Sequence, residues 1–157
     1  MTCFPRRIAG LLAVAALAIT AAGCGGADTT ATDAYVSQVN SIQAQLVSTY
    51  QRLASEVTAS SPSSDDAATF EKLQSVLGLT VTRLRAVKVP DEVRGQHAEL
   101  ASALEAYQAD LAGATEALTS DSSSRVAKAR AALERQTATL GDVFARKISE
   151  INAQLRD

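Results

Sequence analysis

Tryptophan is absent from this chain, histidine occurs once, at His97, and the only methionine is Met1. Proline occurs three times, cysteine twice, and aromatic residues make up 4% of the 157 positions. Each scarcity excludes something. One His with no internal Met is too few ligands for a haem or a histidine-rich metal centre. Two cysteines cannot build a disulfide framework. Fifteen Lys+Arg against 17 Asp+Glu, a formal net charge of -2, excludes a strongly basic nucleic-acid binder. A chain that is 46% hydrophobic and 20% charged is not a charged disordered tail. The length suits one domain.

The apolar residues first gather at the N-terminus. Arg6 and Arg7 precede a near-continuous apolar run from Ile8 to Ala22. A membrane-spanning helix needs about 20 apolar residues, so the run is too short to span and instead fits the apolar region of a secretory signal. It ends in Ala21-Ala22-Gly23-Cys24, followed by Gly25 and Gly26. This stretch resembles the lipobox of bacterial lipoprotein precursors, small residues before an invariant Cys, with Ala21 where Leu is usual. The resemblance implies a diacylglyceryl group on the Cys24 sulfur and cleavage before Cys24. The alternative is an ordinary signal peptide that leaves Cys24 a free thiol. Cys3 would leave with the leader, so Cys24 would be the only Cys of the mature chain and no internal disulfide could form. The mature chain loses Arg6 and Arg7 but no acid, so its formal net charge falls from -2 to -4.

Residues 1–23 are therefore expected to be a signal peptide, and 24–31 a lipidated Cys with a short small-residue tether. Residues 32–157 are expected to be a helical domain. Its first apolar stripe, Tyr35, Val39, Ile42, Leu46, Tyr50, Leu53 and Val57, steps by 3 and 4, a helical period. It predicts a helix over about 32–59, closed by the loop-forming run Ser60-Ser61-Pro62-Ser63-Ser64. A second helix is expected over about 65–88 on Phe70, Leu73, Leu77, Val81, Leu84 and Val87. Gly78 and the β-branched Val76, Thr80, Val81 and Thr82 leave a strand as the competing reading. Pro90 is expected to open a third helix at its first turn. That helix carries the most regular stripe: Val93, His97, Leu100, Leu104, Tyr107, Leu111, Ala114 and Leu118, a heptad seam. The fourth, over about 124–155, carries Val126, Ala129, Leu133, Gln136, Leu140, Phe144, Ile148, Ile151 and Leu155. Asp142, Arg146 and Glu150, four apart, should support its outer face. Four amphipathic helices with short connections predict an all-α, antiparallel up-down-up-down four-helix bundle. The competing architecture is a pair of helical hairpins that close only on dimerising.

Candidate chemistry is thin. His97 sits near Asp91, Glu92 and Glu99, but Arg94 stands where a Glu-x-x-His metal motif needs Glu, and the expected role is a boundary histidine with one nitrogen in water. No G-x-S-x-G occurs, and the glycines after the tether are isolated, so neither a nucleophile elbow nor a phosphate loop is expected. Asp65-Asp66 and Asp91-Glu92 stand at helix starts, where acids complement the helix dipole. Tyr35, Tyr50, Phe70, Tyr107 and Phe144 lie on their stripes and are expected in the core, with Tyr50 or Tyr107 marking a polar spot. The Ser60–Ser64 and Ser120–Ser124 runs are ordinary breakers, or sites of O-glycosylation in an exported protein.

The expectation is a non-enzymatic lipoprotein held through Cys24 on the extracytoplasmic face of the cell membrane. It has no cofactor and no nucleic-acid partner, and its bundle binds or scaffolds an unidentified envelope protein. The high Ala content and 11 Arg against 4 Lys make the chain similar in layout to small helical lipoproteins of high-GC actinobacteria. The alternative is a small-ligand or lipid carrier with an apolar pocket lined by Tyr35, Tyr50, Phe70 or Phe144.

Overall fold

A computed structural model describes residues 28–156; the expected leader, Cys24 and the start of the tether lie outside the described residues. The described part is a four-helix bundle: α1 (Asp28–Ala54), α2 (Ser63–Ala86), α3 (Arg94–Leu118) and α4 (Ser123–Gln154), with a single 3-10 turn at Asp91–Val93. Each helix lies against its neighbours in the ring α1–α2–α3–α4. Side-chain pairs fix the direction of two of these contacts. Gln74 meets Thr115 at 2.7 Å and Arg85 meets Glu105 at 2.5 Å, so numbers fall along α3 as they rise along α2. Glu99–Lys147 and Tyr107–Thr139 run in the same opposed sense between α3 and α4.

The core is built from the four stripes. Every stripe residue of α2, from Phe70 to Val87, is buried, as are Tyr35, Val39, Leu46, Tyr50 and Leu53 of α1. On α3 and the turn before it the buried set is Val93, His97, Leu100, Ala101, Leu104, Leu111 and Leu118, and on α4 it runs from Ala129 through Leu140 and Phe144 to Ile151. Burying a large apolar side chain stabilises by about 1.5–3 kcal/mol relative to exposure, so these stripes dominate the energetics. Chain closure needs no second copy, because all four stripes meet in one cluster.

The helix ends depart from the expected ones for identifiable reasons. The first helix begins at Asp28, so Asp28–Ala31, assigned above to the tether, belongs to the bundle. It also ends at Ala54, short of Ala59. There the Thr58 hydroxyl accepts from the backbone N–H of Ser61, and the Ser61 hydroxyl accepts from that of Thr58. Such hydroxyl–backbone bonds compete with helical ones. The second segment is a helix throughout, not a strand. Its threonines satisfy their hydroxyls one turn back, Thr80 on the Val76 carbonyl at 2.8 Å and Thr82 on the Gly78 carbonyl at 3.0 Å. Gly78 is half-buried, and a Cβ there would stand 2.9 Å from the Gln108 side-chain nitrogen, so its bareness admits Gln108 of α3. Pro90 does not open α3. It holds extended backbone (φ -58°, ψ 146°) ahead of the 3-10 turn, and α3 starts at Arg94. The Ser122 hydroxyl caps α4 by accepting from the Arg125 N–H.

The expected ladder Asp142–Arg146–Glu150 does not close into ion pairs among the described residues. Glu150 instead pairs at 3.0 Å with Lys147, which also reaches Glu99 of α3 at 2.6 Å. Lys147, three residues away on the same helix, takes the Glu150 charge that the pattern assigned to Arg146 and bridges it to α3.

Leu104 is 1% exposed in mid-seam, whereas Ala103 beside it is half-buried. Leu104→Ala should lower unfolding free energy by about 2–5 kcal/mol. Ala103→Ser should cost much less in the same denaturant titration. Equal losses would misplace the seam.

Candidate functional site

Three polar clusters interrupt the apolar core, and they hold most of its titratable groups. The first surrounds Asp66, 1% exposed near the start of α2. Asp66 extends the α2 stripe one turn back from Phe70, so an acid stands where the pattern asks for an apolar residue. Arg130 of α4 answers it. Its Nε and Nη2 both lie 2.6 Å from one carboxylate oxygen, and the Ser61 hydroxyl donates to the other at 2.5 Å. The same guanidinium donates to the Ala59 carbonyl at 3.2 Å and the Ser61 carbonyl at 2.7 Å. One Arg thus neutralises a buried carboxylate and satisfies two carbonyls of the α1–α2 connection, as a fork of five donors allows. Sequence reasoning placed Asp66 as a dipole acid and gave Arg130 no role. The signal that could have found the pair is the acid on the stripe.

The second cluster lies at the other end of α2 and corrects the expectation for His97. This side chain is only 6% exposed, and neither ring nitrogen is left to water. Nε2 is 3.0 Å from the Leu84 carbonyl and Nδ1 is 3.1 Å from the Tyr35 hydroxyl. A carbonyl only accepts, so Nε2 carries the proton; in the neutral ring Nδ1 is then the acceptor and Tyr35 donates to it. Leu84 is in the last turn of α2, where its carbonyl accepts from the Val87 N–H at 3.0 Å and has a second lone pair for the ring. His97 is therefore a side-chain cap that joins α1, α2 and α3. The rings of Tyr35 and His97 are tilted by 60° with centroids 5.7 Å apart. A histidine with both nitrogens engaged is neither a ready base nor a ready ligand. Among the described residues no three His, Cys, Asp or Glu side chains gather to hold a metal ion.

The third cluster is the polar spot expected at Tyr50 or Tyr107. The Tyr107 hydroxyl lies 3.1 Å from the Thr139 hydroxyl at the bundle surface. Tyr50 Oη and Gln136 Oε1 are buried without a hydrogen-bond partner. Gln136 occupies a seam position of α4 one turn from Thr139. Burial, with the neighbouring Tyr107 adding to it, pushes the Tyr50 phenol far above its usual range, and burial pushes Tyr35 up to about 12.

None of these clusters opens into a chamber. Two hollows among the described residues are open surface grooves. One lies between α3 and α4, floored by Ala114, Ala117, Ala129 and Ala132, and the other between α1 and α2, near Ile42 and Val87. Tyr35, Tyr50, Phe70 and Phe144 line neither. Among the described residues no helix is long and apolar enough to cross a membrane. Cys24, the one expected modification site, lies outside the described residues.

Two pairs of substitutions probe these clusters. Arg130→Ala strands a buried carboxylate and should cost about 3–5 kcal/mol; Asp66→Asn, which keeps an acceptor for Arg130, should cost less. Tyr35→Phe leaves His97 Nδ1 unpaired and should cost about 1–3 kcal/mol, whereas Tyr50→Phe removes an unpartnered hydroxyl and should be neutral or stabilising. Urea titrations rank all four, and a costly Tyr50→Phe would mean that its hydroxyl has a partner. The raised phenol of Tyr35 also sets a pH window. Its contribution is whole below the ordinary value of 10.0 and is lost as pH rises from there through about 12. Stability should fall over that window, and less steeply in Tyr35→Phe.

No protein family, no curated protein and no solved structure matches the chain.

Proposed function

We propose that this protein is a lipoprotein anchored through Cys24 on the extracytoplasmic face of the cell membrane, where its bundle binds or scaffolds another envelope component through its outer surface. The run Ala21-Ala22-Gly23-Cys24 behind a short apolar leader supports the anchor. The observation that carries the mode of action is the filled core. All four stripes close on one another in one buried cluster, and the two grooves described above are open and not lined by the core aromatics, which favours surface binding over carriage of an enclosed ligand. A non-catalytic role is supported by the engagement of His97 and Asp66 in helix-joining bonds.

The anchor sets an orientation. With α1 starting at Asp28, three residues, 25–27, separate it from Cys24. That is about 14 Å of chain at most, so the start of α1 is held near the bilayer. The α1–α2 connection is one length of α1 away, about 40 Å for 27 residues. Arg130 bonds that connection near the start of α4, so the Ser60–Ser64 and Ser120–Ser124 runs share the far end. With α1 pointing away from the bilayer, a partner arriving from outside meets this end first, and sugars, if attached, belong there.

Mass spectrometry of the N-terminal peptide from cell membranes tests the anchor. A mature chain starting at a diacylglyceryl-modified Cys24 is expected, with Cys24→Ala left uncleaved or shed. An unmodified Cys24, or a chain starting elsewhere, would overturn it.

A further inference from the structure

The two helices that flank the Ala-floored groove carry opposite charge. Over Arg94–Leu118, α3 has four acids and one base; over Ser123–Gln154, α4 has six bases and three acids. Several of these charges are already used in ion pairs, among them Glu99, Glu105, Arg130 and Lys147. The four on the rims of the groove are not. Asp110 and Glu116 on the α3 side, and Arg125 and Lys128 on the α4 side, are exposed and in no ion pair among the described residues. One rim is wholly acidic and the other wholly basic.

The register of the two helices locates these charges. Glu99–Lys147 and Tyr107–Thr139 are both pairs whose residue numbers total 246. Continued along the groove, this register sets Ala114 opposite Ala132 and Ala117 opposite Ala129. Glu116 and Lys128 then lie within two positions of each other near the groove's centre.

We propose that this groove is a self-complementary contact between two copies of the chain. A two-fold axis parallel to the groove puts α3 of one copy on α4 of the other, with the two copies running parallel. An acidic rim then meets a basic rim, and the contact repeats by symmetry. Central Glu116 faces Lys128 of the second copy in this arrangement. The alanine floor lets the four helices approach closely, since interaxial distance follows the size of the contacting side chains. A partner of one net sign would satisfy one rim and be repelled by the other; a second copy satisfies both. The proposal does not depend on the lipid anchor.

The test uses the full-length chain made in cells in two tagged forms, solubilised in mild detergent and captured through one tag. Each form should recover the other, with recovery falling as salt rises. Glu116→Lys and Lys128→Glu should each reduce recovery about tenfold or more, on the order of what juxtaposed like charges cost, and the double variant should restore it. Both sites are exposed, so the thermal transition of each variant should match the unmutated chain. As a second readout, Glu116→Cys in one form and Lys128→Cys in the other should give an oxidised cross-tag dimer well above that of the unmutated chain. No self-recovery, recovery indifferent to the reversals, or cross-linking no higher than the unmutated background would each overturn the proposal. So would rim-dependent capture of a different protein in place of the second copy.

Discussion

Asp66 is a carboxylate with almost no access to water, and the way the chain meets that cost organises one whole end of the bundle. A buried charge is tolerated only when it is paired and its remaining lone pairs are used. Arg130 supplies the charge and Ser61 supplies a further donor. Because the same guanidinium also donates to the Ala59 and Ser61 carbonyls, the α1–α2 connection cannot shift without unpairing a buried ion. Val57, the last apolar position of the first stripe, lies within that connection and packs half-buried against the core. An apolar pair at positions 66 and 130 could bury as much surface without this demand. The pair's effect is therefore best described as specificity: it ties α4 to the start of α2 across the bundle, in one register.

His97 plays the corresponding part at the other end of α2, by a neutral route. One ring donates to a C-terminal carbonyl of α2 and accepts a hydrogen bond from Tyr35 of α1, while its own backbone belongs to α3. Apolar stripes alone tolerate sliding and rotation of one helix on another, because hydrophobic burial is non-directional. The two polar joints are directional and sit near opposite ends of α2. Between them the stripes supply cohesion and the joints supply alignment.

This division explains what the sequence made legible. Periodicity reports which face of a helix is apolar, and every stripe was found on that basis, including the helical reading of a segment rich in β-branched residues. Helix ends were less legible, since the Thr58–Ser61 bonds and Arg130 stop α1 early, and Arg130 comes from 71 positions away. The role of His97 was misjudged for a similar reason. Its neighbours in sequence are acids and solvent-facing residues, but its partners, Tyr35 and Leu84, come from two other helices. Asp66 could be read as a dipole acid because position 66 is also the first turn of α2. Only its place one turn before Phe70 marks it as inward-facing. The proposal for Cys24 rests on its local motif alone, and the residue lies outside the described part of the chain.

Tyr50 and Gln136 stand apart from these joints. Both are polar groups on seam positions, buried and without partners, which costs stability and aligns nothing. Gln136 is flanked on its seam by Leu133 and Leu140, both 3% exposed, so an apolar residue at 136 would continue the stripe. The core is therefore well filled but not optimised in its middle layer, while its two ends are closed by complete hydrogen-bond networks. A bundle of this kind holds its shape from the ends inward. Its outer faces carry the exposed charges, and those on the rims between α3 and α4, Asp110, Glu116, Arg125 and Lys128, are in no ion pair among the described residues.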